Sequence, residues 1–213
     1  MKRKHVGSGN KWNAWRYAFY TIIVSICFYA ARAQPFAAEI AAFQQQDSLA
    51  FPPKNQVLLI GSSSFTYWKD VQQYFPDFPM LNRAFGGSTL ADVWRYRAQV
   101  IAPYRPRQIL IYCGENDFAL SDTITVNTVV HRFTQLFNYI RKVYPKVPVV
   151  YVSMKPSPSR RHLLSKYQAA NTQIEQWLRK KRLAKFVDVY QPMVSANGEP
   201  LPHIFTKDSL HMN

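Results

Sequence analysis

Cysteine is scarce in this chain of 213 residues: Cys27 and Cys113 are the only two. Cys27 falls in an N-terminal stretch that reads as a removable leader. Cys113 is then alone, no intrachain disulfide is available, and the fold must stand on its core. Acids are few as well, 12 against 27 Lys and Arg, for a formal charge of +15. Such a surplus ordinarily suggests nucleic acid, yet no stretch interleaves aromatic residues with Lys and Arg in the manner of a nucleic-acid motif, so that partner is not expected. No spacing of His, Cys, Asp or Glu suits a metal, and no cofactor is expected. Internal repeats and low-complexity blocks are absent too. The apolar run near the N-terminus, Tyr17 to Ala30, is 14 residues long, short of the roughly 20 that span a bilayer as a helix. What the chain does have is a 47% apolar and 15% aromatic composition, enough for the packed core of one domain.

Residues 1–33 have the pattern of a secretory signal. Lys2, Arg3, Lys4, Lys11 and Arg16 precede the apolar run, and "ARA" (Ala31 to Ala33) offers small residues where a signal peptidase reads. Cleavage after Ala33 is expected, giving a secreted or periplasmic product; retention as an N-terminal membrane anchor is the alternative. Ile26 before Cys27 does not suit lipidation of that cysteine. Loss of residues 1–33 removes six Lys/Arg and no acids, so the charge falls from +15 to +9. The densest remaining cluster, "RKKR" (Arg179 to Arg182), is expected to close a helix, where cations suit the negative end of the dipole. Attraction of such cations to anionic envelope polymers or lipid head groups is a second reading. Oligomeric state is not legible.

Residues 34–54 read as a lead-in, helical around "AAEIAAFQQQ" and broken by Pro52 and Pro53. From residue 55 to 213, short continuous apolar runs alternate with amphipathic ones. Gln56–Gly61, Pro79–Asn82, Gln108–Gly114, Val147–Met154 and Ala184–Tyr190 read as buried strands. One helical pattern opens at Ser88 or Thr89 and ends before Pro103. Another places Val129, Phe133, Leu136, Phe137, Ile140 and Val143 on one face, and a third does the same with Tyr167, Ala170, Ile174, Trp177 and Leu178. This alternation predicts an α/β fold, about five parallel strands covered on both faces. Ligands of such sheets sit beyond the carboxyl ends of the strands.

At those ends stand "GSSS" (Gly61 to Ser64), "NRAFGGS" (Asn82 to Ser88) and "CGEND" (Cys113 to Asp117), and the chain closes on "TKDSLHMN". A serine, paired glycines, an asparagine and an Asp-x-x-His converging on one cleft are the parts of acyl transfer. A hydroxyl needs a base to take its proton as it attacks. Histidine titrates where such a base must, and a carboxylate holds its tautomer. Neutral donors must face the oxyanion, which suits asparagine and repels aspartate. His131 on a helical stretch among apolar residues, His162 in the basic loop "KPSPSRR" and His203 are read as structural or exposed. Arg160 and Arg161 of that loop are expected in solvent, with a substrate carboxylate or phosphate as the alternative partner, and Asp117 is expected as a turn-stabilising carboxylate.

The order "GSSS", "NRAFGG", "GEND" and "DSLH" resembles the SGNH or GDSL hydrolase family, from about Val57 to the last residue, and "GSSSFTYW" with "KPSPSR" resembles a branch of bacterial secreted members. The resemblance implies a three-layer α/β/α sandwich of flavodoxin-like topology and a secreted esterase acting through an acyl-enzyme. By position it implies Ser63 as nucleophile, His211 as base and Asp208 as its orienting partner. The N–H groups of Ser63 and Gly87 and the side chain of Asn116 would be the oxyanion donors. The substrate would be a small ester or an acylated glycan, with no cofactor. Acyl transfer to, or deacetylation of, an envelope polysaccharide is an alternative, and a catalytically inactive envelope-binding domain another. Ser62 stands where the family signature has Asp, Ser64 where it has Leu, and Ala84 where the second block often has Gly. The family continues past its histidine with a turn and a final helix on the sheet; this sequence stops two residues after His211, so that helix is expected to be missing.

Overall fold

The structure, a computed structural model, describes residues 34–213. Ala38–Asn213 forms one compact unit; the expected leader, with Cys27 and His5, lies outside the described residues. Five strands form one sheet: β1 (Val57–Gly61), β2 (Met80–Asn82), β3 (Gln108–Tyr112), β4 (Val149–Val152) and β5 (Ala184–Val187). All pairs are parallel and the order is β2-β1-β3-β4-β5. Each strand is shorter than its apolar run. After Tyr112, for example, Cys113 is still buried, but Gly114 turns to a φ of +139° and the ladder stops.

One sheet face is closed by α7 (Val126–Val143) and α8 (Leu164–Leu178), which pack on each other. The helical spacing explains the choice of face. Val129, Phe133, Leu136, Phe137 and Ile140 of α7 are buried, as are Tyr167, Ala170, Ile174 and Leu178 of α8. The pattern after Ser88 is two helices rather than one, α4 (Leu90–Arg95) and α5 (Arg97–Val100), because Tyr96 leaves helical geometry at φ −96°, ψ 12°. Thr89 caps the first through a capping box with Asp92. The Arg179–Arg182 cluster lies just past α8 rather than in its last turn; Arg179 bonds Glu175 at 2.8 Å and Lys181 sits over the Trp177 ring.

On the other face, α2 (Ser63–Tyr67) and α3 (Val71–Tyr74) cover the β1 side, with Phe65 and Val71 packed on Val57, Leu59 and Tyr112. Beyond them an apolar groove of about 530 Å³ runs along Leu110, Val150, Val152 and Val187. Helix α1 (Ala37–Leu49) is tied in by Asp47, which meets the Arg83 guanidinium and accepts from the Tyr104 hydroxyl. Burial, helped by Asp47, pushes the Tyr104 phenol up to about 12. Helix α6 (Glu115–Leu120) follows β3. Among the described residues no helix is long and apolar enough to cross a membrane.

Candidate active site

In this strand order the chain steps from β1 outward to β2 and then back across to β3, so the carboxyl ends of β1 and β3 diverge at a topological switch point. Gly61 closes β1 at a φ of +128°, and a Cβ there would lie 1.9 Å from the Tyr112 carbonyl oxygen, so only glycine allows this approach. The Gly61 carbonyl accepts from the Phe85 N–H at 3.0 Å and the Ser88 hydroxyl at 2.9 Å. The "GSSS" turn is thereby fixed to the "AFGGS" turn. Asn82 adds a second tie, donating to the Phe65 carbonyl at 2.6 Å.

Of the three adjacent serines, Ser62 is buried, while Ser63 and Ser64 are half-buried. Ser63 opens α2, so its N–H has no carbonyl one turn before it. Its Oγ lies 3.0 Å from His211 Nε2. His211 Nδ1 is 2.6 Å from Asp208 Oδ2. Asp208 Oδ1 accepts from the Thr206 hydroxyl at 2.7 Å and from the N–H groups of Leu210 and His211, each at 2.9 Å. The His211 N–H, with the Thr206 hydroxyl, the His211 ring and the Leu210 N–H, holds the Asp208 carboxyl well below the usual carboxylate range. An ionised carboxylate only accepts, so Nδ1 carries the proton and the Nε2 lone pair faces Ser63. The Tyr67 ring packs on the imidazole in a T-shaped contact, 4.8 Å between centroids.

Asn116, in the first turn of α6, directs Nδ2 to Ser62 Oγ at 2.7 Å and to the Ser88 carbonyl at 3.1 Å. Gly87 has a φ of +81°, and among the described residues its N–H makes no backbone hydrogen bond. The five residues expected from the sequence thus stand in four neighbouring turns, Asp208 and His211 sharing the last. His131, His162 and His203 are all exposed and take no part. Asp117 is fully buried, accepting from the Leu90 N–H at 2.8 Å and the Arg132 guanidinium at 2.8 Å. Burial raises its pKa while those two donors oppose the rise.

Three residues unforeseen in the sequence join the site through the loop 155–161. Lys155, buried, donates from Nζ to the Leu210 carbonyl at 2.8 Å and lies 3.9 Å from Glu115 Oε1. Burial pushes its ammonium pKa down, against the pull of Glu115. Ser159 donates twice to the Ser209 carbonyl, from N at 3.1 Å and Oγ at 2.9 Å. The terminal turn is therefore pinned from outside as well as closed by its own Thr206 N–H to His211 carbonyl bond at 2.8 Å. Arg160, expected in solvent, is half-buried and donates from Nη2 to Asn116 Oδ1 at 2.8 Å. Arg161 is exposed as expected and pairs with Glu199 at 2.7 Å.

Comparison with known proteins bears on the fold and the family. A GDSL-like lipase from Bacteroides thetaiotaomicron superposes with a TM-score of 0.70 at 20% identity, covering 82% of this chain and 89% of the other. The lipase/acylhydrolase from Enterococcus faecalis gives a TM-score of 0.61 at 17% identity over 75% and 88% of the two chains. A carbohydrate esterase family 3 protein from Talaromyces cellulolyticus gives 0.56 at 16% identity, over 75% and 88%. At these identities the likeness is one of fold. No match was found among curated proteins. The model of the GDSL-like lipase/acylhydrolase family, however, matches residues 47–213, and the chain belongs to that family, the SGNH-type ester hydrolases.

Proposed function

We propose that this enzyme cleaves carboxylic esters through an acyl-enzyme on Ser63, with His211 as base and Asp208 as its orienting carboxylate. The observation that carries the reading is the imidazole held between Asp208 at 2.6 Å and Ser63 at 3.0 Å. It also favours a working enzyme over an inactive binding domain. As Ser63 Oγ attacks the ester carbonyl carbon, His211 Nε2 takes its proton, and the carbonyl oxygen becomes an oxyanion. The N–H groups of Ser63 and Gly87 and the Asn116 amide are the donors for that charge, with one Asn116 N–H passing to it from the Ser62 hydroxyl. The imidazolium returns the proton to the departing alkoxide, leaving an acyl ester on Ser63. His211 then deprotonates water, which attacks the acyl carbon, and Ser63 leaves with the proton. The likeness to a carbohydrate esterase supports acyl groups on a carbohydrate as one substrate class. The basic and apolar residues of 1–33 support export before the enzyme acts.

One experiment tests these points together. The protein, expressed in a secreting host, is treated with a fluorophosphonate and mapped by peptides. The label is expected on Ser63, the mature chain is expected to begin at Gln34, and Ser63→Ala is expected to abolish turnover of an aryl acetate. A label on Ser62 or Ser64, or near-full activity of Ser63→Ala, overturns the mechanism; an intact Met1 terminus overturns the cleavage.

A further inference from the structure

The three partners of the Asn116 amide differ in what they can tell apart. A hydroxyl donates or accepts, so Ser62 Oγ fits either end of an amide. The Ser88 carbonyl only accepts and a guanidinium only donates, and these two stand on opposite sides of Asn116 chemistry: Nδ2 to Ser88 at 3.1 Å, Oδ1 to Arg160 at 2.8 Å. Reversed, the amide would present a carbonyl oxygen to the forming oxyanion and its NH₂ to a cation. Both contacts oppose that reversal, and the charged one is the stronger. The local backbone brings Arg160 into place. It sits in the 3₁₀ turn Pro158–Leu163, which it interrupts at φ −116°, ψ 28°. Consecutive arginines consequently part, one inward to Asn116 and one outward to Glu199.

We propose that Arg160 is a positioning residue of the oxyanion site, fixing the Asn116 amide with Nδ2 toward the nucleophile turn and polarising its N–H bonds. The inference rests on the acyl-enzyme reading above. It differs from a substrate-binding role for the arginine, which would act through a substrate anion and would be silent with a neutral ester.

The test is a double-mutant cycle on a neutral acetyl ester, measuring kcat and KM separately. Asn116→Ala is expected to cost about 10² to 10³ in kcat, the usual loss for one oxyanion donor. Arg160→Met, or Arg160→Ala should the first not fold, is expected to lower kcat about 10- to 100-fold, as for loss of a charge-assisted hydrogen bond. KM should stay within about two-fold, since the contact is to the transition-state donor rather than to the bound ester. On the Asn116→Ala background the same Arg160 substitution should cost almost nothing more, and Arg160→Lys should recover most of the rate. Multiplicative losses, or a raised KM with kcat intact, overturn the Arg160 proposal while leaving the hydrolase reading in place. No effect of Asn116→Ala overturns the oxyanion assignment and the proposal with it.

Discussion

Asp208 accepts from the Thr206 hydroxyl, two backbone N–H groups and the His211 ring, and it donates to none of them. An asparagine in its place can keep its oxygen on the turn, but its NH₂ then faces Nδ1 and forces that nitrogen to accept. The proton moves to Nε2, which points at Ser63 and is no longer a base. Asp208→Asn should therefore fold and lose about 10⁴ in kcat, the loss seen in serine proteases when the wrong tautomer is trapped. Its stability carries a second signature. The folded carboxyl titrates below its ordinary value of 3.8, so the stabilisation from the anion is whole above 3.8 and fades as pH falls below it. The gap in Tm between the wild type and Asp208→Asn should be constant from about pH 5 upward and should narrow toward pH 3; a gap that widens on acidification would contradict the geometry. At this scale Asn116, Asp208 and His211 were legible from the chemistry each brings to a strand end, whereas Ser63 was singled out among three adjacent serines by the family resemblance. Arg160 was not, because a side chain that serves another side chain across 44 residues of sequence leaves no local spacing to read.

The loop 155–161 and the turn 206–211 act as one element, joined through the carbonyls of Ser209 and Leu210. Lys155→Met keeps the apolar stem of the side chain and removes the Nζ contact with Leu210, while leaving Glu115 without its nearby cation. It should destabilise by about 2 kcal/mol, the combined cost of an unmet carbonyl and a less compensated buried charge. For a domain of this size that corresponds to a fall in Tm of roughly 4–8 °C. Turnover should drop further than Tm alone explains, because the turn that loosens is the one carrying His211. Ser159→Ala should be milder, since the Ser159 N–H still reaches Ser209. Thermal unfolding and ester kinetics on both variants check the order. Among the elements, strands such as Gln56–Gly61 were legible because they are continuous apolar runs with bounded ends. The break at Tyr96 was not, since the apolar spacing of "LADVWRYRAQV" continues through it.

The whole molecule divides the reaction between its two parts. β1, β2 and β3 bring Ser63, Gly87 and Asn116, whereas β4, β5 and the final turn bring Lys155, Arg160, Asp208 and His211. Ser63 and His211 are 148 residues apart in sequence, and the parts meet where β3 pairs with β4, from Ile109↔Val149 to Ile111↔Tyr151. Between those strands Leu120 to Thr123 form an exposed stretch ahead of α7. A protease site placed between Ser121 and Asp122 should give, after cutting, two fragments that co-elute and retain turnover; fragments that separate spontaneously would show the β3–β4 seam to be too weak to hold them. Because β1 lies between β2 and β3, that cut leaves the β2–β1, β1–β3 and β4–β5 pairs each within one fragment and divides only β3 from β4. The enzyme is in this sense already built as a complementing pair: two inert pieces whose rejoining would itself be the signal, so that ester turnover becomes a reporter for whatever brings the two ends together.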